Sequence, residues 1–389
     1  MPRTNTDPIV VVGGGMSGAS VAYHLSERVD REIVVFERQS LASETTTKSA
    51  SHIGYWGGET GAILRMKQYG IELFNEILGE RDTGIETHVM GRLGLASTEA
   101  GADRLASEVI CANDEASSNA AIVEYFSSDE LPGAILSPEL DFENVEGAIY
   151  RPNIVYSHPY KIALELVDRA RDNGVTFQVN TEVTDISVSE GRVSGVETED
   201  AFVDTDTVVC AAGPWNVELL RNVDVELPVE HSLGSVLLLR LDEPLGSTLP
   251  SVKHAETDLY LRQHGSDRIF VGHRPDHTDE RDPDRTSDKV SRELVVTAAE
   301  VLPDFVPALA DADLEEQWVG VRTMVADREP IVGGTGIGGL YLTVYNGDGI
   351  MLAPAAGRII ANVIDRGETP EYYEDVSLSR FDGRRDVVR

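Results

Sequence analysis

The chain has 389 residues, more than one domain of ordinary size holds, and 41% of them are hydrophobic, enough to bury a sizeable core. Acidic residues outnumber basic ones by 67 to 33, and the resulting net charge of −34 excludes nucleic acid as a partner, because phosphate contacts need clustered Lys and Arg. Lys48, Lys67, Lys161, Lys253 and Lys289 are the only lysines, a lysine-poor acidic composition of the kind found in salt-loving microbes, where dense screening lets such surfaces stay compact.

The first element predicted is a strand over Ile9-Val10-Val11-Val12, a β-branched run with no polar face, so both faces are expected to be buried in a parallel sheet. A helix follows from Ser17 to Arg28, with Ala19, Val21, Ala22 and Leu25 at helical spacing, and Ile33-Val34-Val35-Phe36 is a second buried strand. Ile63 to Leu78 reads as a long helix stopped at Gly79. Residues 91–150 show short strands such as Glu124-Tyr125-Phe126 among acidic and small residues, without a period. Beyond Arg151 the spacing predicts a helix from His158 to Asp172 and strands over Val175–Val179 and Thr207–Cys210, the last running into Ala211-Ala212-Gly213. Alternating strands run from Val229 to His273, and Arg274 to Ser287, dense in Asp, Arg and Pro, reads as a solvated loop. A helix over Ser291–Val301, strands near Ile331 and over Leu340–Val344, and a helix from Gly349 to Ile364 complete the chain.

Gly13-Gly14-Gly15-Met16-Ser17-Gly18 joins the first strand to the first helix, the setting that a dinucleotide-binding glycine turn requires. Gly13 permits the tight turn, Gly15 lets the backbone approach a pyrophosphate, and Gly18 lets helix and strand pack closely. The N-terminus of the helix, at Met16 and Ser17, then attracts the phosphate charge. Glu37 ends the second strand, where its carboxylate is placed to accept hydrogen bonds from an adenosine ribose. These residues alone fit NAD as well as FAD.

The wider set of segments decides between them. Gly13 to Glu37, Ser49-Ala50-Ser51-His52, Thr181-Glu182-Val183, Val208 to Trp215, Trp318 to Asp327 and Tyr345 to Gly357 resemble the D-amino acid oxidase superfamily of flavoproteins, which includes glycine oxidase, sarcosine oxidase and the D-amino acid dehydrogenases. The resemblance implies FAD as cofactor. It implies adenine beside the strand of Val183, with Arg38, Ala212, Gly213 and Trp215 also on the cofactor. Thr45, Thr46, Thr47, Lys48 and Ser49 match the loop that wraps the pyrophosphate and ribityl chain. Asn346, Gly347, Asp348, Gly349, Ile350 and Met351 match the helix start at the flavin pyrimidine, whose positive end stabilises charge on the reduced ring. Many relatives carry histidine where Asn346 or Asp348 stands, so oxygen reactivity does not carry over. Trp318-Val319-Gly320-Val321-Arg322 matches the W-x-G-x-R segment that offers an arginine to the substrate carboxylate, Tyr260 matches a tyrosine above the flavin, and His52 matches a histidine facing it. Sarcosine oxidase attaches its flavin through a cysteine in the segment where this chain has Gly320, so FAD is expected to be non-covalent.

The expected architecture is α/β: a doubly wound FAD-binding domain of Rossmann type (1–90, 151–225 and 320–389) with an antiparallel-sheet substrate domain (91–150 and 226–319). The expected activity is FAD-dependent oxidation of the C–N bond of a small amino acid, a D-amino acid or an N-alkyl amino acid such as sarcosine, or glycine, by hydride transfer to flavin. Oxygen, a quinone or a carrier protein would accept the electrons. The alternative is a flavin-bearing electron-transfer or scaffold subunit of a heteromeric dehydrogenase complex; an NAD-dependent dehydrogenase leaves Arg322 and the C-terminal glycine turn unexplained. Cys111 and Cys210 have neither disulfide-framework nor zinc-ligand spacing, so no metal is expected. With no apolar leader and no apolar run of membrane-spanning length, the expected location is the cytoplasm.

Overall fold

The computed structural model describes residues 7–56, 59–80, 83–115, 123–273, 283–285 and 289–383. The predicted solvated loop over 274–287 lies mostly outside these residues, apart from a turn of 3-10 helix at Pro283–Arg285.

The strand Ile9–Val12 is buried along its whole length, and it pairs in parallel with Ile33–Glu37 on one side and Thr207–Cys210 on the other. Thr176–Val179 extends the sheet in parallel beyond Ile33–Glu37, Leu340–Val344 extends it beyond Thr207–Cys210, and Ile331–Gly334 closes that edge antiparallel. The apolar runs seen in the sequence are thus the interior of a six-stranded sheet covered on both faces. On one face lie the helices Met16–Ser26, Pro159–Asp172 and Gly349–Arg366, whose buried residues merge with those of the helix Gly61–Gly79 into one core. A three-stranded meander, Val183–Ser189, Arg192–Thr198 and Phe202–Asp204, packs on the other face.

A second, eight-stranded sheet runs in the order Asp313–Val325, Val229–Arg240, Arg268–His273, Leu259–Gln263, Ser251–His254, Arg92–Ala96, Gly147–Arg151, Glu124–Ser127. It is antiparallel except where Ser251–His254 meets Arg92–Ala96 in parallel. Alternation along its strands divides the residues between two faces. Leu237, Leu259, Leu261, Val252, Leu93 and Val319 form a core with the helix Arg292–Val301, and the opposite face carries Arg322, Tyr260, Arg262, Ser251 and Arg92 toward the first sheet. The strand Asp313–Val325 runs unbroken past residues 319 and 320, so the second sheet reaches into the segment assigned to the cofactor domain.

The aperiodic stretch 91–150 contains a helix, Glu99–Glu115, which the sequence reading missed. Its apolar stripe is Ala102, Leu105, Val109 and Ala112, and residues this small give a weak helical period. Among the described residues, no helix is long and apolar enough to cross a membrane.

Candidate active site

A cavity of about 520 Å³ opens at the carboxyl ends of the parallel strands, where doubly wound sheets bind their ligands. Its floor is the glycine turn. Gly13 has φ +103°, and a Cβ there would come within 2.6 Å of Ala211 O, so only glycine fits. A Cβ at Gly18 would overlap Gly13 O, which makes Gly18 a packing residue rather than part of the lining. Gly15 caps the helix Met16–Ser26 without a side-chain acceptor; the Met16 N–H instead donates to Thr46 Oγ1 at 3.0 Å. Ser17 Oγ is 2.5 Å from Thr343 Oγ1 and 3.1 Å from Tyr345 OH, tying the helix start to the far end of the sheet. Burial pushes the Tyr345 hydroxyl up to about 12, so it stays protonated.

Glu37 is anchored by two backbone donors, Gly14 N at 2.7 Å and Gln39 N at 2.8 Å, one to each carboxylate oxygen. Each oxygen can accept a further bond, so the group keeps capacity for a ligand hydroxyl. Arg38, also on the cavity, lies 4.1 Å over the Trp215 ring and pairs with Asp284 at 3.2 Å, while Trp215 Nε1 donates to the same Asp284 oxygen at 2.8 Å. Thr45, Thr46, Ser49, Val183, Ala212, Gly213, Gly347, Gly349, Ile350 and Arg322 also line the cavity.

Other predicted residues stand behind that wall. Thr47 does not line it, and Lys48 pairs with Glu44 at 2.9 Å. Asn346 Oδ1 accepts from Val325 N at 3.1 Å, and Met351 is buried where Gly70 lets the long helix approach. Asp348 is drawn to Lys67 at 3.0 Å.

Arg322 projects beside Gly234, and its Nε and one terminal nitrogen donate to Ser232 Oγ at 3.0 and 2.8 Å. Tyr260 lies on the same sheet face, its ring over Gly272, where any side chain would collide with it. His52 is buried with its ring 6.2 Å from Tyr260 and 5.7 Å from Trp56. His52 Nε2 is 2.9 Å from Ser251 Oγ, and that hydroxyl donates to Leu261 O at 3.0 Å. The serine thus links the buried imidazole to the backbone of the neighbouring strand and fixes the direction of the ring.

Two parts of the site escaped the sequence reading. Asn216 is fully buried and bonds Ala212 N, Cys210 O and Thr343 O, locking two strand ends beneath the cavity. Lys67, 1% exposed, pairs with Glu59 at 2.8 Å as well as with Asp348. Its signal was present: it falls on the apolar stripe of Leu64, Gly70 and Phe74, where a charge requires partners.

The cradle fits an FAD-sized dinucleotide. Ser49 Oγ lines the cavity, is buried, and has no hydrogen-bond partner among the described residues, and Gly13 and Gly15 leave room for backbone to approach phosphate. The sequence profile of the FAD dependent oxidoreductase family (DAO) matches residues 8–363, and the chain belongs to that family, whose cofactor is FAD. It is 27% identical to the mitochondrial pyruvate dehydrogenase phosphatase regulatory subunit of Mus musculus, over 96% of this chain and 43% of that protein. It is 26% identical to 4-methylaminobutanoate oxidase (formaldehyde-forming) of Paenarthrobacter nicotinovorans, over 98% of this chain and 47% of that one. The chain thus spans less than half the length of these two relatives. With glycine oxidase of Geobacillus kaustophilus it shares 25% identity over 98% of this chain and 99% of the other. The crystal structure of glycine oxidase from Bacillus cereus ATCC 14579 superposes with a TM-score of 0.80 at 23% identity, covering 97% of this chain and 99% of that one, which establishes the shared fold.

Proposed function

We propose that this chain oxidises the C–N bond of a small amino acid, a D-amino acid or an N-alkyl amino acid, using FAD held without a covalent link. The observation that carries the reading is Arg322 on the wall of the dinucleotide cavity, on the sheet face it shares with Tyr260. When bound, FAD supplies the two-electron oxidant for the C–H bond beside the amine. The protein's own part is position and charge. Arg322 presents a planar, permanently charged fork that suits a carboxylate, and its bonds to Ser232 fix the fork's direction. Tyr260 walls the substrate space, and water or His52 takes the amine proton. Glu37 binds the adenosine ribose, the loop of Thr45, Thr46 and Ser49 holds the pyrophosphate and ribityl chain, and the helix start at Gly349 and Ile350 faces the flavin. The setting is the cytoplasm, with oxygen, a quinone or a carrier protein as electron acceptor. The names of the oxidases among the relatives support this reading.

One relative is named a regulatory subunit, which favours a second reading, a flavin-bearing subunit without amino acid turnover. An anaerobic screen of D-amino acids, sarcosine, glycine and 2-hydroxy acids for loss of the flavin absorbance separates the two. Bleaching by an amino acid supports the first; a yellow protein that no amino acid bleaches supports the second.

A further inference from the structure

Arg262 is 2% exposed on the sheet face that looks toward the first sheet, and among the described residues no carboxylate pairs with it. Burying a guanidinium is costly unless its donors are used, and every acceptor it has found is neutral. Its Nε donates to Ala50 O at 2.9 Å, and one terminal nitrogen donates to Gln263 O at 3.2 Å and to His264 Nδ1 at 3.3 Å. The fork is gripped between rings, 3.7 Å from the Tyr156 centroid and 4.3 Å from that of Phe270. Burial lowers the guanidinium to about 10, so it stays charged at neutral pH. Burial, helped by that charge, holds His264 down to about 4, which leaves the ring neutral and able to accept.

The carbonyl that Arg262 holds belongs to Ser49-Ala50-Ser51-His52, a segment laid across the substrate sheet with Ala50 packed on Val236, Tyr260 and Phe270. On the other side of Ser49, Lys48 O accepts from Trp318 Nε1 at 3.4 Å. The two carbonyls that flank Ser49 are thus both tied to the substrate sheet. Ser49 lines the dinucleotide cavity, and its Oγ is buried without a hydrogen-bond partner among the described residues. Ser51 has φ +51°, a left-handed conformation that a residue other than glycine keeps only where its surroundings hold it. Both its neighbours lead back to Arg262: Ala50 directly, and His52 through its strand partner Tyr156, the ring beside the guanidinium.

We propose that Arg262 is a positioning residue for the cofactor: by fixing the Ala50 carbonyl from behind the segment, it turns the Ser49 hydroxyl toward a polar oxygen of bound FAD and keeps His52 beside Tyr260. Arg262 does not line the cavity, so it acts only through the segment it holds. The inference rests on the proposed function for the place of His52, and on the family's cofactor for that of Ser49. An arginine is required because its fork serves Ala50 O with one edge and the Gln263 and His264 acceptors with another, which the point charge of a lysine cannot do.

The test is a pair of double-mutant cycles, read as the FAD affinity of the apoprotein by fluorescence titration with no amino acid present. Arg262→Met keeps most of the buried volume and is expected to weaken FAD about 10-fold, and Ser49→Ala about 5-fold, the worth of one hydrogen bond. Because Arg262 acts through Ser49, the double variant should also be weaker by about 10-fold rather than by the ~50-fold product. With Glu37→Ala, on a strand end that Arg262 does not touch, the losses should multiply. A general loosening of the fold multiplies with both, so the contrast between the cycles reports positioning. Arg262→Lys keeps the stem and the charge, carries the same cycles if the methionine variant does not fold, and should recover little of the affinity. Losses that multiply in the Ser49 cycle, or an FAD affinity within about 2-fold of wild type in either single variant, overturn the proposal. If the coupling to Ser49 is found while no amino acid bleaches the flavin, the proposed function fails and the positioning role stands; oxidation of an amino acid without the coupling gives the reverse.

Discussion

Replacing Lys67 by methionine removes the centre of a buried ion triad and tests how the cofactor helix is held. Lys67 is 1% exposed, Glu59 8% and Asp348 27%, and the lysine bridges the two carboxylates at 2.8 and 3.0 Å. Methionine keeps the stem and the packing but leaves two partly desolvated carboxylates repelling each other, a loss of about 3–5 kcal/mol by comparison with other broken buried pairs. For a chain of this length each kcal/mol is worth roughly 1.2 °C, so the midpoint of thermal unfolding should fall by roughly 4–6 °C. A second effect is local. Asp348 is the residue preceding the helix Gly349–Arg366 and makes no side-chain cap to it, because its carboxylate is turned to Lys67. Released, it can swing onto the helix's first N–H groups at Gly349 and Ile350, which line the cavity, and put a negative charge where the flavin is proposed to bind. FAD should therefore dissociate more readily from Lys67→Met than stability loss alone explains. Calorimetry gives the first quantity and fluorescence titration of the apoprotein with FAD the second. Adding Glu59→Gln should recover part of the stability, since it removes one of the two repelling charges. A midpoint within 1 °C of wild type, with unaltered FAD affinity, refutes the reasoning.

Glu37→Ala removes the acceptor of two backbone N–H groups and the proposed ribose ligand, and should weaken FAD binding about 10-fold or more while changing substrate KM little; unchanged flavin content counts against the assignment. Arg322→Ala should lower kcat/KM about 30-fold or more on a carboxylate substrate, with lysine a poor substitute and the flavin spectrum kept; full activity in the alanine variant removes Arg322 from the substrate site. His24 is fully buried between Ser20 O at 2.7 Å and Tyr69 OH at 2.8 Å, and burial holds its pKa down to about 3. The folded protein keeps it neutral while the unfolded chain takes up a proton below pH ~6.5, so its contribution is present above that pH and is lost as pH falls toward 3. His24→Asn should be less stable at neutral pH yet lose less stability between pH ~6.5 and ~4, by up to ~1.4 kcal/mol per pH unit; parallel pH curves for the two proteins would falsify the assignment.

The elements legible in the sequence are those whose cause is local. Ile9-Val10-Val11-Val12 has no polar face and must be buried, and Gly13 ends that run in a turn at φ +103°, which glycine adopts without strain. The glycine turn, Glu37, the hydroxyl loop and Arg322 are brought to one cavity because each stands at the end of a strand or in the loop after it. In contacts that join distant segments the partners left no such trace. Glu59, Lys67 and Asp348 meet only once two helices pack through Gly70, and Asn216 acts on a strand end more than a hundred residues away, at Thr343. Arg92 belongs to a stretch with no readable period, and its place beside Tyr260 follows from a parallel pairing with Ser251–His254 that sequence alternation cannot announce.

The distribution of charge suggests how so acidic a chain accommodates anionic ligands. On the proposed cofactor side Arg38, the only arginine among the described residues lining the glycine-turn end, is already matched by Asp284 and stacked on Trp215, so a pyrophosphate there would rely on backbone N–H groups and the helix start at Gly15 and Met16. Fixed dipoles of that kind suit a ligand that stays bound, since they add attraction without a mobile counter-charge to reorganise. On the proposed substrate side Arg322, Arg262 and Arg92 share one sheet face, and the latter two lie within a few ångströms of aromatic rings, whose low polarity raises the effect of each charge. The acidic surface opposes neither: exposed charges are screened beyond about 10 Å at 0.1 M salt, so at the scale of the chamber the nearby guanidinium groups dominate. A chain can therefore carry a net charge of −34 and still present a locally positive site, provided a few of its cations stand together on one interior face.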